Sequence, residues 1–188
     1  MIENPQYVLV SSRFGAFGLV WKEVTGNAQV QRVLLPREEM AIENVLQAAF
    51  PGIRPGSCPA VEVLAEQMRR FLAGEPVTLS LELLALENCS AFQQRVLLAE
   101  YQVPRGRVST YGLIARHLGV SGGARAAGGA LAHNPFPIII PCHRAIASDG
   151  TLGGYQGGLA MKRSLLEMEG IQFAASGRAL VSQFYYET

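Results

Sequence analysis

The sequence has little of what marks a secreted or membrane-bound chain. Among 188 residues there are three cysteines, Cys58, Cys89 and Cys142. An odd count with no Cys-x-x-Cys pair argues against a disulfide framework and for a reduced compartment. No basic stretch followed by an apolar run opens the sequence, and no run approaches membrane-spanning length. Neither a leader nor a membrane segment is therefore expected, and the cytoplasm is the expected setting. Histidine is scarce, with three in all. Cys142, His143 and His133 are close in sequence but lack the spacing of a zinc site, so no metal is expected.

Charge of one sign is also missing: the net value of +1 does not by itself point to a nucleic acid. The two halves differ, however. Residues 1–88 hold seven Lys/Arg against ten Asp/Glu, a net of −3, and residues 89–188 hold nine against five, a net of +4. If phosphates are to be neutralised, the second half is where that happens. What the chain does have is apolar substance: 49% of residues are hydrophobic, enough for one sizeable core or two small ones.

Aromatic and β-branched residues predict strands over 7–10, 14–21 and 30–35, the last closed by Pro36. Helical spacing predicts amphipathic helices over 37–49 and 60–72, separated by a Pro/Gly-rich loop at 51–59. This layer carries no catalytic cluster and reads as a support. A boundary is expected between about 77 and 90, giving domains 1–85 and 86–188. Beyond it, helices are expected over 91–101, 110–118 and 122–133, with a tight turn at 119–121. Helix, short turn, helix is the arrangement that presents its second helix to DNA. That second helix, GGARAAGGALAH, is assigned four glycines at about 1 kcal/mol each relative to alanine. Such a sacrifice suits the close approach of another backbone or a DNA groove. Arg125 is its one long side chain.

The densest chemistry lies in HNPFPIIIPCHR, residues 133–144. Three isoleucines, 138–140, form a buried run, and Pro141 fixes the chain before Cys142. A thiolate beside a histidine is a plausible nucleophile. On the residues alone, an inert buried thiol has equal standing, and a cysteine hydrolase on this pair is conceivable.

Residues 92–170 resemble the O6-alkylguanine-DNA alkyltransferases. The resemblance runs through Phe92-Gln93, PRGRVSTY at 104–111, ARAAGGA at 124–130, Asn134-Pro135 and PCHR at 141–144. It continues through GGY at 153–155, GGLAMK at 157–162 and LEMEG at 166–170. It implies an α/β amino-terminal domain with a ribonuclease H-like layer, followed by a mainly helical, winged helix-turn-helix-like DNA-binding domain. The implied partner is double-stranded DNA containing alkylated bases, bound by a monomer without a cofactor.

The resemblance also assigns roles. Cys142 is the alkyl acceptor, His143 takes its proton through a water, and Glu169 orients His143. A carboxylate there favours imidazolium, and imidazolium favours thiolate. Asn134 braces the active-site loop. Tyr111 helps rotate the nucleotide and protonates the departing base. Arg125 fills the gap left in the duplex, Tyr155 lines the base pocket, and the backbone of 154–157, including Gly157, reads the guanine edge. Arg144 and Gln156 fall on the substrate side. Gln156 stands where relatives often carry Ser or Ala, so the resemblance leaves room for a lesion-binding protein that transfers nothing.

Overall fold

The computed structural model describes residues 4–36 and 40–187, and these form two compact units. One comprises residues up to 86 together with 135–139; the other comprises 87–134 and 140 onward.

The first unit is built on a sheet of order β3-β2-β1-β4, with β1 Gln6–Ser12, β2 Gly15–Val24, β3 Asn27–Leu34 and β4 Arg54–Pro55. β1–β2 and β2–β3 are antiparallel; β4 runs parallel to β1. Central β2 is buried from Phe17 to Trp21 without a break, because both of its faces are covered. On one face Val20 meets Ile42, Val45 and Leu46 of α1, Ile42–Ala49. Gly18 makes room for that helix, since a Cβ there would lie 3.0 Å from Leu46. α2, Pro59–Leu72, packs against β1 with Val61, Leu64, Met68 and Phe71 buried.

Two expectations need correction here. The stretch 51–59 is not all loop: Arg54 and Pro55 pair with Gln6 and Tyr7, and Trp21 Nε1 donates to Gly56 O at 2.8 Å. The helix expected over 37–49 begins at Ile42, and residues 37–39 lie outside the described residues. The excursion 135–139 joins this unit through Val33 N–H, which donates to Pro135 O at 2.8 Å. Within it Phe136, Ile138 and Ile139 are buried, and Ile138 adopts φ +75°. For a β-branched residue that conformation costs about 1–3 kcal/mol, which the burial of its side chain must offset.

The second unit begins with α3, Ala91–Tyr101, capped by the Ser90 hydroxyl, which accepts from Gln93 N–H. α4, Tyr111–His117, is capped by Thr110 in the same way, and α5, Ala124–Ala132, packs against both helices. The connection from α4 to α5 takes residues 118–123, longer than the turn expected at 119–121. The glycine count changes with it. Gly122, at φ +67°, and Gly123 shape this turn; a Cβ on Gly123 would come within 2.6 Å of Val120. Only Gly128 and Gly129 lie inside α5. β5 Ser109–Thr110 and β6 Ala145–Ile146 pair in parallel. α6, Gly158–Met168, packs on the turn just before β6. A small core of Val108, Ile146, Leu166 and Ala179 is closed by Leu152, Phe173 and Phe184. No helix among the described residues is long and apolar enough to cross a membrane.

Candidate active site

Cys142, His143 and Arg144 form one turn of 3-10 helix, and all three side chains are buried. Local backbone bonds set the turn: Cys142 N–H donates to Ile140 O and Arg144 N–H to Pro141 O, both at 2.8 Å. Asn134, 1% exposed, donates from Nδ2 to Ile140 O at 3.0 Å and so clasps the chain on either side of 135–139. Its side chain also favours the Cys142 thiolate by hydrogen bonding.

Behind the thiol lies a buried ionic cluster. His143 Nε2 is 2.9 Å from Glu169 Oε1. Arg144 grips the same carboxylate in a fork, Nε to Oε2 at 2.8 Å and Nη2 to Oε1 at 2.9 Å, and donates from Nη1 to Val103 O at 2.7 Å. Glu169 caps the carboxyl end of α6, so a helix terminus delivers it. Burial pushes its pKa up, but His143 and Arg144 outweigh that and hold it at about 2. An ionised carboxylate only accepts, so His143 donates through Nε2–H and Nδ1 is its basic nitrogen.

The resting charges differ from the sequence expectation. Burial lowers the His143 pKa despite Glu169, so the resting ring is neutral and not imidazolium. Burial likewise pushes the Cys142 thiol up to about 11, with Asn134 and Lys162 pulling it down and Glu100 adding to the rise. The resting group is a thiol. Its deprotonation belongs to the reaction and not to the waiting state.

Cys142 opens into a cavity of about 600 Å³ lined by Tyr111, Arg125, Gly128, Leu131, Tyr155 and Gln156, among others. Tyr111 starts α4, and burial raises its pKa to about 12, so it is a proton donor at neutral pH. Its hydroxyl sits against Gly153, where φ is +65° and a Cβ would come within 2.6 Å; only glycine fits. The Tyr155 hydroxyl is buried with no hydrogen-bond partner among the described residues, and its ring meets His143 edge-on at 6.4 Å. Gln156 donates from Nε2 to Ala132 O at 3.0 Å and to Asn134 O at 2.8 Å, tying the loop to the end of α5. Arg125 is exposed in the first turn of α5. Gly129 faces open space, and a Cβ on Gly128 would make only ordinary contact with Tyr111, so no neighbour within the unit demands either glycine.

The structure thus gathers Cys142, Tyr111, Arg125, Tyr155 and Gln156 around one cavity, with His143, Glu169 and Asn134 behind it. Gly157 stands just outside the lining as the cap of α6. Arg144, expected on the substrate side, is turned inward and held by Glu169 and Val103. Two buried ionisable side chains escaped the sequence reading. Lys162 is fully buried and donates to Ala145 O at 2.7 Å and Leu152 O at 2.5 Å, with Tyr111 Oη at 3.4 Å. Glu100 is also fully buried. The signal was spacing: Lys162, Leu165, Leu166 and Glu169 share one helical face, as do Val96, Leu97 and Glu100. Among the described residues no group of three or more His, Cys, Asp or Glu is gathered to hold a metal.

A family profile described as the DNA-binding domain of 6-O-methylguanine DNA methyltransferase matches residues 91–171. A methylated-DNA–protein-cysteine methyltransferase of Methanothermobacter thermautotrophicus is 47% identical over 112 residues, 60% of this chain and 62% of that protein. A protein of the same name from Shigella flexneri is 31% identical over 167 residues, 89% of this chain and 90% of that one. Among solved structures, Mycobacterium tuberculosis OGT in complex with DNA superposes with a TM-score of 0.64 at 31% identity, covering 89% of this chain and 92% of that one.

Proposed function

Because the chain belongs to the methylated-DNA–protein-cysteine methyltransferase family, we propose that it repairs alkylated DNA by moving the alkyl group of an O6-alkylguanine onto its own Cys142. The observation that carries this reading is a buried thiol at the wall of an open cavity, backed by His143, Glu169 and Arg144 and faced by a protonated tyrosine.

In the proposed reaction the cavity takes a guanine turned out of the duplex, which the lesion's weakened pairing makes less costly. The Cys142 proton passes to His143 Nδ1 through a water, and the sulfur attacks the alkyl carbon. The S–C bond forms as the C–O6 bond breaks, and the electron pair leaves with the guanine. Tyr111 gives the departing base its proton, and the proton held by His143 makes good that loss. The products are a thioether on Cys142 and an unmodified guanine, so the protons balance and no cofactor enters. Nothing in this scheme reverses the thioether, so each molecule acts once.

The docking belongs to the same reading. α4, the connecting turn and α5 act as the helix-turn-helix of a winged arrangement, docked in the minor groove, where Gly129 and the alanines of α5 permit close approach. Arg125 enters the duplex where the base has left. The backbone of 154–157 reads the guanine edge. The sheet unit is a ribonuclease H-like support. Arg144 acts by holding Glu169, not by touching DNA. The protein works as a cytoplasmic monomer.

Intact and peptide mass spectrometry after incubation with duplex DNA carrying one O6-methylguanine tests the proposal. One methyl group per protein, confined to the Cys142 peptide and matched by restored guanine, is expected. Binding of that duplex with Cys142 left unmodified would replace transfer by lesion recognition.

A further inference from the structure

The mechanism above leaves Glu100 without a task. This residue of α3 is fully buried on the helix that packs against the turn carrying Cys142. Among the described residues neither carboxyl oxygen finds a hydrogen bond of good geometry, the Ala145 N–H offering a weaker contact, and that is costly for a group taken out of water. Ionisable groups reach it from four sides, while α5, which also packs on α3, brings none. Cys142 and Arg144 come from the turn, Lys162 and Glu169 from α6, Tyr111 from α4 and Tyr186 from the C-terminal segment.

Counting buried charges shows what is at stake. Arg144 and Glu169 cancel one another in their fork, and His143 rests neutral. One cation then remains, Lys162, which bonds to carbonyl oxygens and among the described residues forms no ion pair. Two acids, Glu100 and Cys142, lie in its field, and the negative charge of either opposes ionisation of the other. A protein interior tolerates one compensated pair far better than an extra uncompensated anion.

We propose that Glu100 and Cys142 compete for the buried cation Lys162, so that protonated Glu100 permits the reactive thiolate and ionised Glu100 suppresses it. Glu100 is in these terms a positioning residue, acting through Lys162 without touching substrate. Burial raises its pKa to about 8, with Lys162 pulling the other way, so it is protonated at neutral pH and ionises just above it. Burial also lowers Lys162 to about 8, so both members of the pair respond over the same range. The balance can be followed proton by proton. Below pH 8, Glu100 is neutral, and loss of the Cys142 proton leaves a lysine–thiolate pair. Above it, the first proton lost is that of Glu100, and the thiol stays protonated against the field of the new carboxylate. The inference builds on the alkyl-transfer reading but concerns the thiol itself.

The test compares the full chain with Glu100→Gln between pH 6.5 and 9.5 in two assays. One is single-turnover methyl transfer from O6-methylguanine duplex; the other is carbamidomethylation of Cys142 by iodoacetamide, followed by mass spectrometry without DNA. The variant-to-parent rate ratio is expected near one at pH 6.5 and several-fold higher at pH 9.5 in both. Infrared spectra should show a protonated buried carboxyl at pH 7 that fades above pH 8 and is missing from the variant. A ratio that stays flat with pH, or no such band at pH 7, overturns the proposal. A rising iodoacetamide ratio without any methyl transfer would leave it standing and reject the alkyl-transfer reading. Should Glu100→Gln not fold, Glu100→Leu carries the same comparison, since it too removes the ionisable group.

Discussion

Replacing Glu169 by Gln removes one charge from the centre of the buried cluster while keeping the side-chain volume. The Glu169 side chain is fully shielded and that of Arg144 is 9% exposed, so solvent screens their attraction little. The folded protein holds Glu169 at about 2 against an ordinary 4.5. At roughly 1.4 kcal/mol per pKa unit, that difference is worth about 3 kcal/mol. Breaking a buried ion pair from one side costs about 3–5 kcal/mol by independent reckoning, because the stranded guanidinium loses its partner. For a chain of this size Glu169→Gln should lower Tm at pH 7 by about 6–12 °C. Since the folded-state pKa is depressed, this stability is fully present above pH 4.5 and is lost as pH falls towards 2. The gap between parent and variant should therefore shrink to about 1 kcal/mol at pH 3. Urea melts at pH 7 and pH 3 read both quantities. Equal gaps at the two pH values, or no gap at pH 7, would refute the assignment of Glu169 as the ionised hub.

Gly153→Ala puts a methyl group against the Tyr111 hydroxyl at a backbone angle that only glycine takes easily, so methyl transfer should slow at least about tenfold, as single-turnover kinetics would read. Gln156→Ala releases the loop from Ala132 and Asn134; a stability loss of about 1 kcal/mol and a higher rate on O6-benzylguanine relative to O6-methylguanine are expected, and an unchanged ratio would deny Gln156 any hold on pocket width. Arg125→Ala should weaken transfer from duplex about tenfold, roughly 1.4 kcal/mol, while leaving the reaction with free O6-benzylguanine base untouched; equal losses on both would place the arginine's role in the cavity instead.

Sequence patterning reached furthest where local physics decides the outcome. α3 starts and stops where expected because a serine cap precedes an apolar run. β1 to β3 follow from β-branched density. Patterning fell short where a distant neighbour decides. Arg54 and Pro55 make a strand only because β1 offers an edge, and 135–139 joins the sheet unit through Val33. The turn before α5 absorbed Gly122 and Gly123 because positive φ and close packing, which leave no periodic trace, set its length. At the site, Cys142, Tyr111, Arg125 and Tyr155, which the structure brings to one cavity, were singled out through the resemblance carried by the STY, ARAAGGA, PCHR and GGY segments and not by spacing alone. The inward turn of Arg144 was not, because a guanidinium beside a reactive cysteine reads as a residue of the substrate side until its carboxylate partner, Glu169, is located. Lys162 and Glu100 occupy apolar positions of their helices, and a charge at such a position deserved a question about its counter-ion.

The five residues 135–139 bear on how the molecule is made. The chain leaves the second unit after Asn134, contributes a segment to the first, and returns at Ile140. During synthesis the sheet unit therefore lacks a piece until residue 139 has emerged, long after its own strands and helices are complete. A fragment cut at residue 87 would carry Phe136, Ile138 and Ile139 without the partner that buries them, inviting aggregation. The two units are completed together, and the turn at 142–144 follows directly on the segment that completes the first of them.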